Sequence, residues 1–215
     1  MISGQEHALI FLELQMLDLV LKMSIYLIRH AQSEANINGR TRSHAAIALS
    51  EQGKQQAEQL CEALPSIDHV IISKYQRTYQ TAQPILHKYQ ITAEVDHSLH
   101  EFSYLSERKC ANTNLDDRKQ WVNAYWERMD YDYRDADDAE SFADLYVRVQ
   151  CVHEKLRQLA QEYVHQNLAI FTHGQFLQLL LTLKHTPQPL SRELMQNFRS
   201  DLIQRPIPNT AIFLF

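Results

Sequence analysis

The sequence predicts an α/β chain, a three-layer α/β/α sandwich with a mostly parallel central sheet. Short β-rich apolar runs recur along its 215 residues, each of strand rather than helix length. Segments of helical composition separate them, the pattern of strand–helix–strand units. The runs are apolar at successive positions, as strands covered on both faces must be.

Residues 1–22 read as an N-terminal extension outside the core. The Leu- and Ile-rich stretch is interrupted by Glu13 and Asp18, too charged for a spanning helix. It has no basic front end before Lys22, which a secretory signal needs. Residues 23–215 read as a single domain, with no linker, repeat or low-complexity tract.

The elements follow in order. Ser24–Arg29 is a buried strand. Ser50 caps a helix that Gln55–Leu64 continue and Pro65 ends. Asp68–Ser73 is a second strand. Tyr75–Tyr89 is helical, with a kink or break expected at Pro84. Ile91–Val95 is a third strand, and residues 103–116 read as irregular. Lys119–Met129 is a helix whose Trp121 and Trp126 serve packing. The acidic stretch Asp130–Glu140 lacks the glycine and spacing of a calcium loop and reads as solvated. Ser141–Tyr163 is a long helix. Leu168–Thr172 is a fourth strand, Gly174–Leu183 a helix straight after it, and Ile212–Phe215 a last edge strand.

Composition removes several function classes. The net charge is −5, so nucleic acid is not an expected partner. Only four glycines occur, at 4, 39, 53 and 174. They assemble neither a dinucleotide fingerprint nor a P-loop. Three well-separated cysteines suggest no zinc site or disulfide framework, and fit a reducing, cytoplasmic compartment. No metal, cofactor or membrane is expected.

Chemistry gathers at the strand ends, where α/β sheets bind ligands. The first strand ends in Arg29-His30, the second is followed by Arg77, the third by Glu101, and the fourth by His173. These types fit phosphoryl transfer. Guanidinium forks match phosphate oxygens, and a neutral imidazole is a nucleophile. Nearby arginines keep it neutral. A carboxylic acid can protonate a leaving oxygen.

Arg29-His30-Ala31-Gln32-Ser33-x-x-Asn36 resembles the RHG-x-[ST]-x-x-N signature of the histidine phosphatase superfamily, also called phosphoglycerate mutase-like. Leu49-Ser50-x-x-Gly53-x-x-Gln56-Ala57, Ser73-x-x-x-Arg77-Thr78-x-x-Thr81-Ala82, Leu99-x-Glu101, Ala139-Glu140-Ser141 and Thr172-His173-Gly174 resemble its further motifs, in its order. The resemblance covers residues 23 to about 184. It implies that His30 is phosphorylated, that Arg29, Arg77 and His173 hold phosphate oxygens, and that Glu101 is acid and then base. Ser33 and Asn36 would add hydrogen bonds to the phosphate or the loop. The N–H groups of Gly174 and Gln175 open a helix, where anions are welcome.

Two departures stand out. Alanine replaces the usual glycine at 31 and at 139, and Ala31 adds a methyl beside the nucleophile and disfavours positive φ. The run after Glu101 lacks the common glycines, which leaves the substrate open. Tyr104 and Arg42 are candidates for contacting the rest of it. Glu140 and Ser141 read as a helix start. Nine further histidines, among them His44, His69 and His97, read as surface, and His100 as pointing away from its neighbour Glu101.

The expected reaction is hydrolysis of a small phosphorylated substrate through phosphohistidine. The alternatives are a mutase, which would return the phosphoryl group to another hydroxyl, a protein phosphohistidine phosphatase, and a binding module with a spent site. The spacing of 72 positions between Glu101 and His173 favours the hydrolase, since mutases of this resemblance are longer there. The sequence fixes no oligomeric state.

Overall fold

A computed structural model describes residues 24–215. The proposed extension 1–22 lies outside the described residues, as does Met23. The architecture is α/β, with five strands in the order β3-β2-β4-β1-β5. They are β1 (Ser24–Arg29), β2 (His69–Ile72), β3 (Ala93–Val95), β4 (Asn167–Thr172) and β5 (Ile212–Leu214). β1 to β4 are parallel, and β5 runs antiparallel along the β1 edge.

Alternation along each strand sorts the two layers. From β1 and β4, Ile28, Ala169 and Phe171 pack on one face against α1 (Glu51–Ala63) and α2 (Gln76–Tyr89). From the same strands, Ile25, Leu27, Leu168 and Ile170 pack on the other. There they meet α4 (Leu115–Arg128), α5 (Phe142–Glu162), α6 (Gly174–His185) and α7 (Arg192–Gln204). α3 (Glu107–Cys110) is a single turn.

Local chemistry accounts for the boundaries. The Ser50 hydroxyl accepts the Gly53 N–H and starts α1. Ser141 and Asp144 form a reciprocal capping box at α5, satisfying donors the first turn leaves open. Trp126 is buried against Phe102 and Phe198.

Three readings are corrected. α2 continues through Pro84, so of the expected kink or break the break does not occur. The irregular stretch 103–116 holds α3 and the first two residues of α4, which the Asn114–Asp117 capping box opens. α7 was not anticipated, although Ser191 caps it and Leu194, Met195 and Phe198 form its buried stripe. The signal, a cap before an apolar face, was in the sequence.

Candidate active site

Register brings the polar residues together. Arg29 lies beside Thr172 in the parallel β1–β4 pair. The His30 N–H donates to the Thr172 carbonyl at 2.9 Å. The Ser73 N–H donates to the Phe171 carbonyl at 3.2 Å. Three chain segments therefore leave the sheet at one level, and the rings of His30 and His173 stand 5.1 Å apart.

His30 is held in one tautomer. Its Nδ1–H donates to the Ala31 carbonyl at 2.7 Å, which leaves the lone pair on Nε2. The Arg77 Nε–H donates to that Nε2 at 3.1 Å. Burial first, then the charges of Arg77 and Arg29, hold His30 well below its usual pKa of 6.5. The ring is thus neutral at neutral pH.

Both arginines are anchored on carbonyls and keep other donors for a ligand. Arg77 gives Nη1 to the His44 carbonyl at 2.8 Å and lies over the Tyr75 ring, 4.7 Å from its centroid. Burial pushes its pKa down to about 10, so it stays cationic. Arg29 gives Nη1 to the Ile207 carbonyl. Its guanidinium lies against the start of α6, where a Cβ on Gly174 would come within 3.1 Å of Nε. A side chain at 174 would need the Arg29 guanidinium to shift by a few tenths of an ångström.

The Glu101 carboxylate sits at the same helix end. It accepts the N–H groups of Phe102 and Phe176 on Oε1 at 2.9 and 3.1 Å, and that of Gln175 on Oε2 at 3.2 Å. This changes the expected role of Gln175, whose N–H is committed to Glu101 rather than left open for phosphate. The loop that carries Glu101 is propped from α5. Arg148 forks onto Glu140 with two 2.9 Å bonds and reaches the Ser98 and His100 carbonyls at 2.8 Å. Glu140 also accepts the Ser103 N–H at 3.0 Å. Glu140 and Ser141 do not line the cavity; Ser141 caps α5, as expected.

The loop after the nucleophile closes on itself. Ser33 N–H and Oγ both reach Asn36 Oδ1 at 3.0 Å, and both residues line the cavity. Ala31 is outside the left-handed region and is buried against Leu49 and Ala57. Its methyl neither strains the backbone nor narrows the cavity. Gly53 is where the loop is tightest, since a Cβ there would stand 1.9 Å from the Gln32 carbonyl oxygen.

Arg29, His30, Arg77 and Glu101 line a cavity of about 210 Å³. Its outer wall is mainly apolar, with Ile47, Phe102, Tyr104, Leu105, Leu115 and Val122. Tyr104 is where the sequence reading put it. Arg42 is exposed and away from the cavity; Arg118 of α4 lines it instead. Arg118 is fixed by Thr41 Oγ1, Thr113 Oγ1 and the carbonyls of Cys110 and Thr113. The carboxylates of Asp117, Asp138 and Asp135 pair with Arg40, Arg108 and Lys109 rather than with it.

Two histidines read as surface are also corrected. His44 is half-buried and lines the cavity. His100 does point away from the cavity, but its half-buried ring stacks on Tyr75. Asn209 was not anticipated either. Its Nδ2–H donates to the His30 carbonyl at 2.8 Å, from a segment with no polar motif of its own.

The histidine phosphatase superfamily (branch 1) model matches residues 25–200. The adenosylcobalamin/alpha-ribazole phosphatase of Escherichia coli (strain K12) is 26% identical over 166 residues, 74% of this chain and 77% of that protein. The "Probable phosphoglycerate mutase GpmB" of Enterobacter sp. (strain 638) is 30% identical over 131 residues, 60% of each chain. Among solved structures, the alpha-ribazole phosphatase from Shigella flexneri superposes with a TM-score of 0.68 at 23% identity, covering 89% of both chains. That last likeness is one of fold.

Proposed function

The chain belongs to branch 1 of the histidine phosphatase superfamily, and from that premise we propose that it is a phosphatase working through a phosphohistidine on His30. One observation carries the reading. A neutral imidazole with its Nε2 lone pair free of a proton shares a cavity with two guanidinium groups and a carboxyl group.

The steps balance. His30 Nε2 attacks the phosphorus of a monoester, and the bond to the leaving oxygen breaks. Glu101 supplies the proton that oxygen takes. Water then attacks the phosphohistidine, Glu101 takes its proton, and phosphate and free His30 are released. Arg29, Arg77 and His173 hold the oxygens on which charge gathers. The Asn36 side-chain amide N–H and the Gly174 N–H complete the cradle, while Ser33, whose two donors both go to Asn36 Oδ1, holds the loop in shape.

The substrate is a compact phosphate ester. A cavity of about 210 Å³ lies below the usual range for drug-sized ligands, roughly 300–1,000 Å³. The apolar wall, with Tyr104, favours an organic body of about one ring, and Arg118 stands ready for an acceptor group on it.

Release of p-nitrophenol from p-nitrophenyl phosphate by wild type and His30→Ala tests the proposal. Turnover by the wild type alone, with mild-acid-labile phosphate on His30, is the expected result. Equal rates would refute it. The likeness to a mutase relative makes conversion of 3- to 2-phosphoglycerate the second assay, with no conversion expected.

A further inference from the structure

His173 poses a question of proton placement. Its ring is fully buried. Nε2 is 2.7 Å from the Ser73 hydroxyl, and Nδ1 has no partner among the described residues. A neutral imidazole carries one N–H and one lone pair. A lone pair aimed at a phosphate oxygen repels it, whereas an N–H binds it. Which nitrogen holds the proton therefore decides whether His173 can act on an anion.

The hydrogen bonds around Ser73 favour one place for its own proton. The Thr78 hydroxyl donates to the Tyr75 carbonyl at 2.7 Å. The Ser73 oxygen accepts the Tyr75 N–H at 3.2 Å. The Ser73 hydroxyl then has two acceptors, His173 Nε2 at 2.7 Å and Thr78 Oγ1 at 3.0 Å. The shorter bond is to the histidine, and an imidazole nitrogen is a better acceptor than a hydroxyl that already donates.

We propose that Ser73 is a positioning residue: its hydroxyl donates to Nε2 of His173 and holds that ring as the Nδ1–H tautomer, so that the orphaned Nδ1 presents its proton to a phosphate oxygen. The inference deepens the phosphatase reading and rests on it for the ligand. Burial, with Arg77 and His30 adding to it, keeps His173 neutral, so the tautomer rather than protonation sets its role. His30 is the mirror case, with Nδ1–H spent on a carbonyl and the lone pair kept for attack.

Long-range proton–nitrogen spectra of protein carrying isotope-labelled histidine read each ring's tautomer directly. In the wild type, the His173 proton is expected on Nδ1. Ser73→Ala should spread it over both nitrogens and weaken binding of inorganic phosphate, followed by titration, about twofold, because only about half of the rings then present an Nδ1–H. Thr78→Val removes the competing acceptor and should leave the proton on Nδ1. A wild-type proton on Nε2 overturns the inference, as does Ser73→Ala protein that binds phosphate as tightly as wild type. If Ser73→Ala does not fold, the wild-type and Thr78→Val spectra decide alone. Neither readout needs turnover. Hydrolysis with the proton on Nε2 would remove this inference only, and the expected spectra without hydrolysis would remove the phosphatase reading only.

Discussion

Arg77 covers the lone pair of His30: its Nε–H lies 3.1 Å from Nε2, the atom that must attack phosphorus. A bound phosphate has to draw the guanidinium onto its own oxygens before the nucleophile is free. Meanwhile the charge keeps His30 from taking a proton. The acid limb of kcat/KM should therefore lie below the ordinary histidine value of 6.5, because activity requires the neutral ring. Arg77→Met removes the second-largest cause of that shift. The limb should move up toward 6.5, and kcat/KM should fall on the order of a hundredfold or more. Rates with phenyl phosphate across pH, corrected for the ester's own titration, check both.

The two buried histidines also tie stability to pH. Folded, His30 and His173 stay neutral, with pKa values well below 6.5. Unfolded, each takes a proton as the pH falls through about 6.5. Below that point the unfolded state binds more protons, so stability is lost on acidification and regained as pH rises. Urea unfolding at pH 7.5 and 5.5 should show a loss of about 3 kcal/mol across this window. The loss should be shallower in His30→Asn. Stability that is flat over the window would contradict neutral, buried rings.

Much of this was legible in the sequence because strand ends announce themselves. Apolar runs stopping at Arg29-His30 and Thr172-His173 place both pairs at the carboxyl end of a parallel sheet, and the register puts Arg29 beside Thr172 there. What escaped the sequence depends on contacts across long separations. His44 matters through its backbone carbonyl, which leaves no trace in residue type. Asn209 reaches His30 from 179 positions away. Arg148, read only as part of a helix, supports the Glu101 loop through carbonyls 48 and 50 positions back. Arg42 is exposed on a loop and does not line the cavity, a placement that depends on which way the loop turns. Arg118 sits on a helix that brings it to the cavity.

Gly53 shows why a helix remote from the reacting atoms carries part of the signature. The first turn of α1 presses on the loop that follows His30, and a methyl group at 53 would meet the Gln32 carbonyl oxygen at 1.9 Å. That partner is backbone and cannot rotate away. Gly53→Ala should destabilise the protein by about 1–3 kcal/mol, the cost of overpacking, despite alanine's better helix propensity. Thermal unfolding reads the loss. A folded Gly53→Ala protein should also turn over more slowly, since the loop it displaces holds Ser33 and Ala31.

Arg118 supplies the sharpest test of what the cavity accepts. Four contacts to Thr41, Cys110 and Thr113 fix its guanidinium through Nε and Nη2. The nearby carboxylates are taken by other cations. A half-buried cation on an apolar wall gains most from an anionic partner there, where water screens it least. A substrate with a negative group about one ring away from its phosphate would supply one. Carboxyphenyl phosphate should then show a kcat/KM roughly tenfold above that of phenyl phosphate, the worth of one charge-assisted hydrogen bond. Arg118→Met should erase the preference while phenyl phosphate is still hydrolysed. The comparison of the two esters on the wild-type enzyme needs no variant. Equal values there would mean that Arg118 serves the loop around Thr113 and not the substrate.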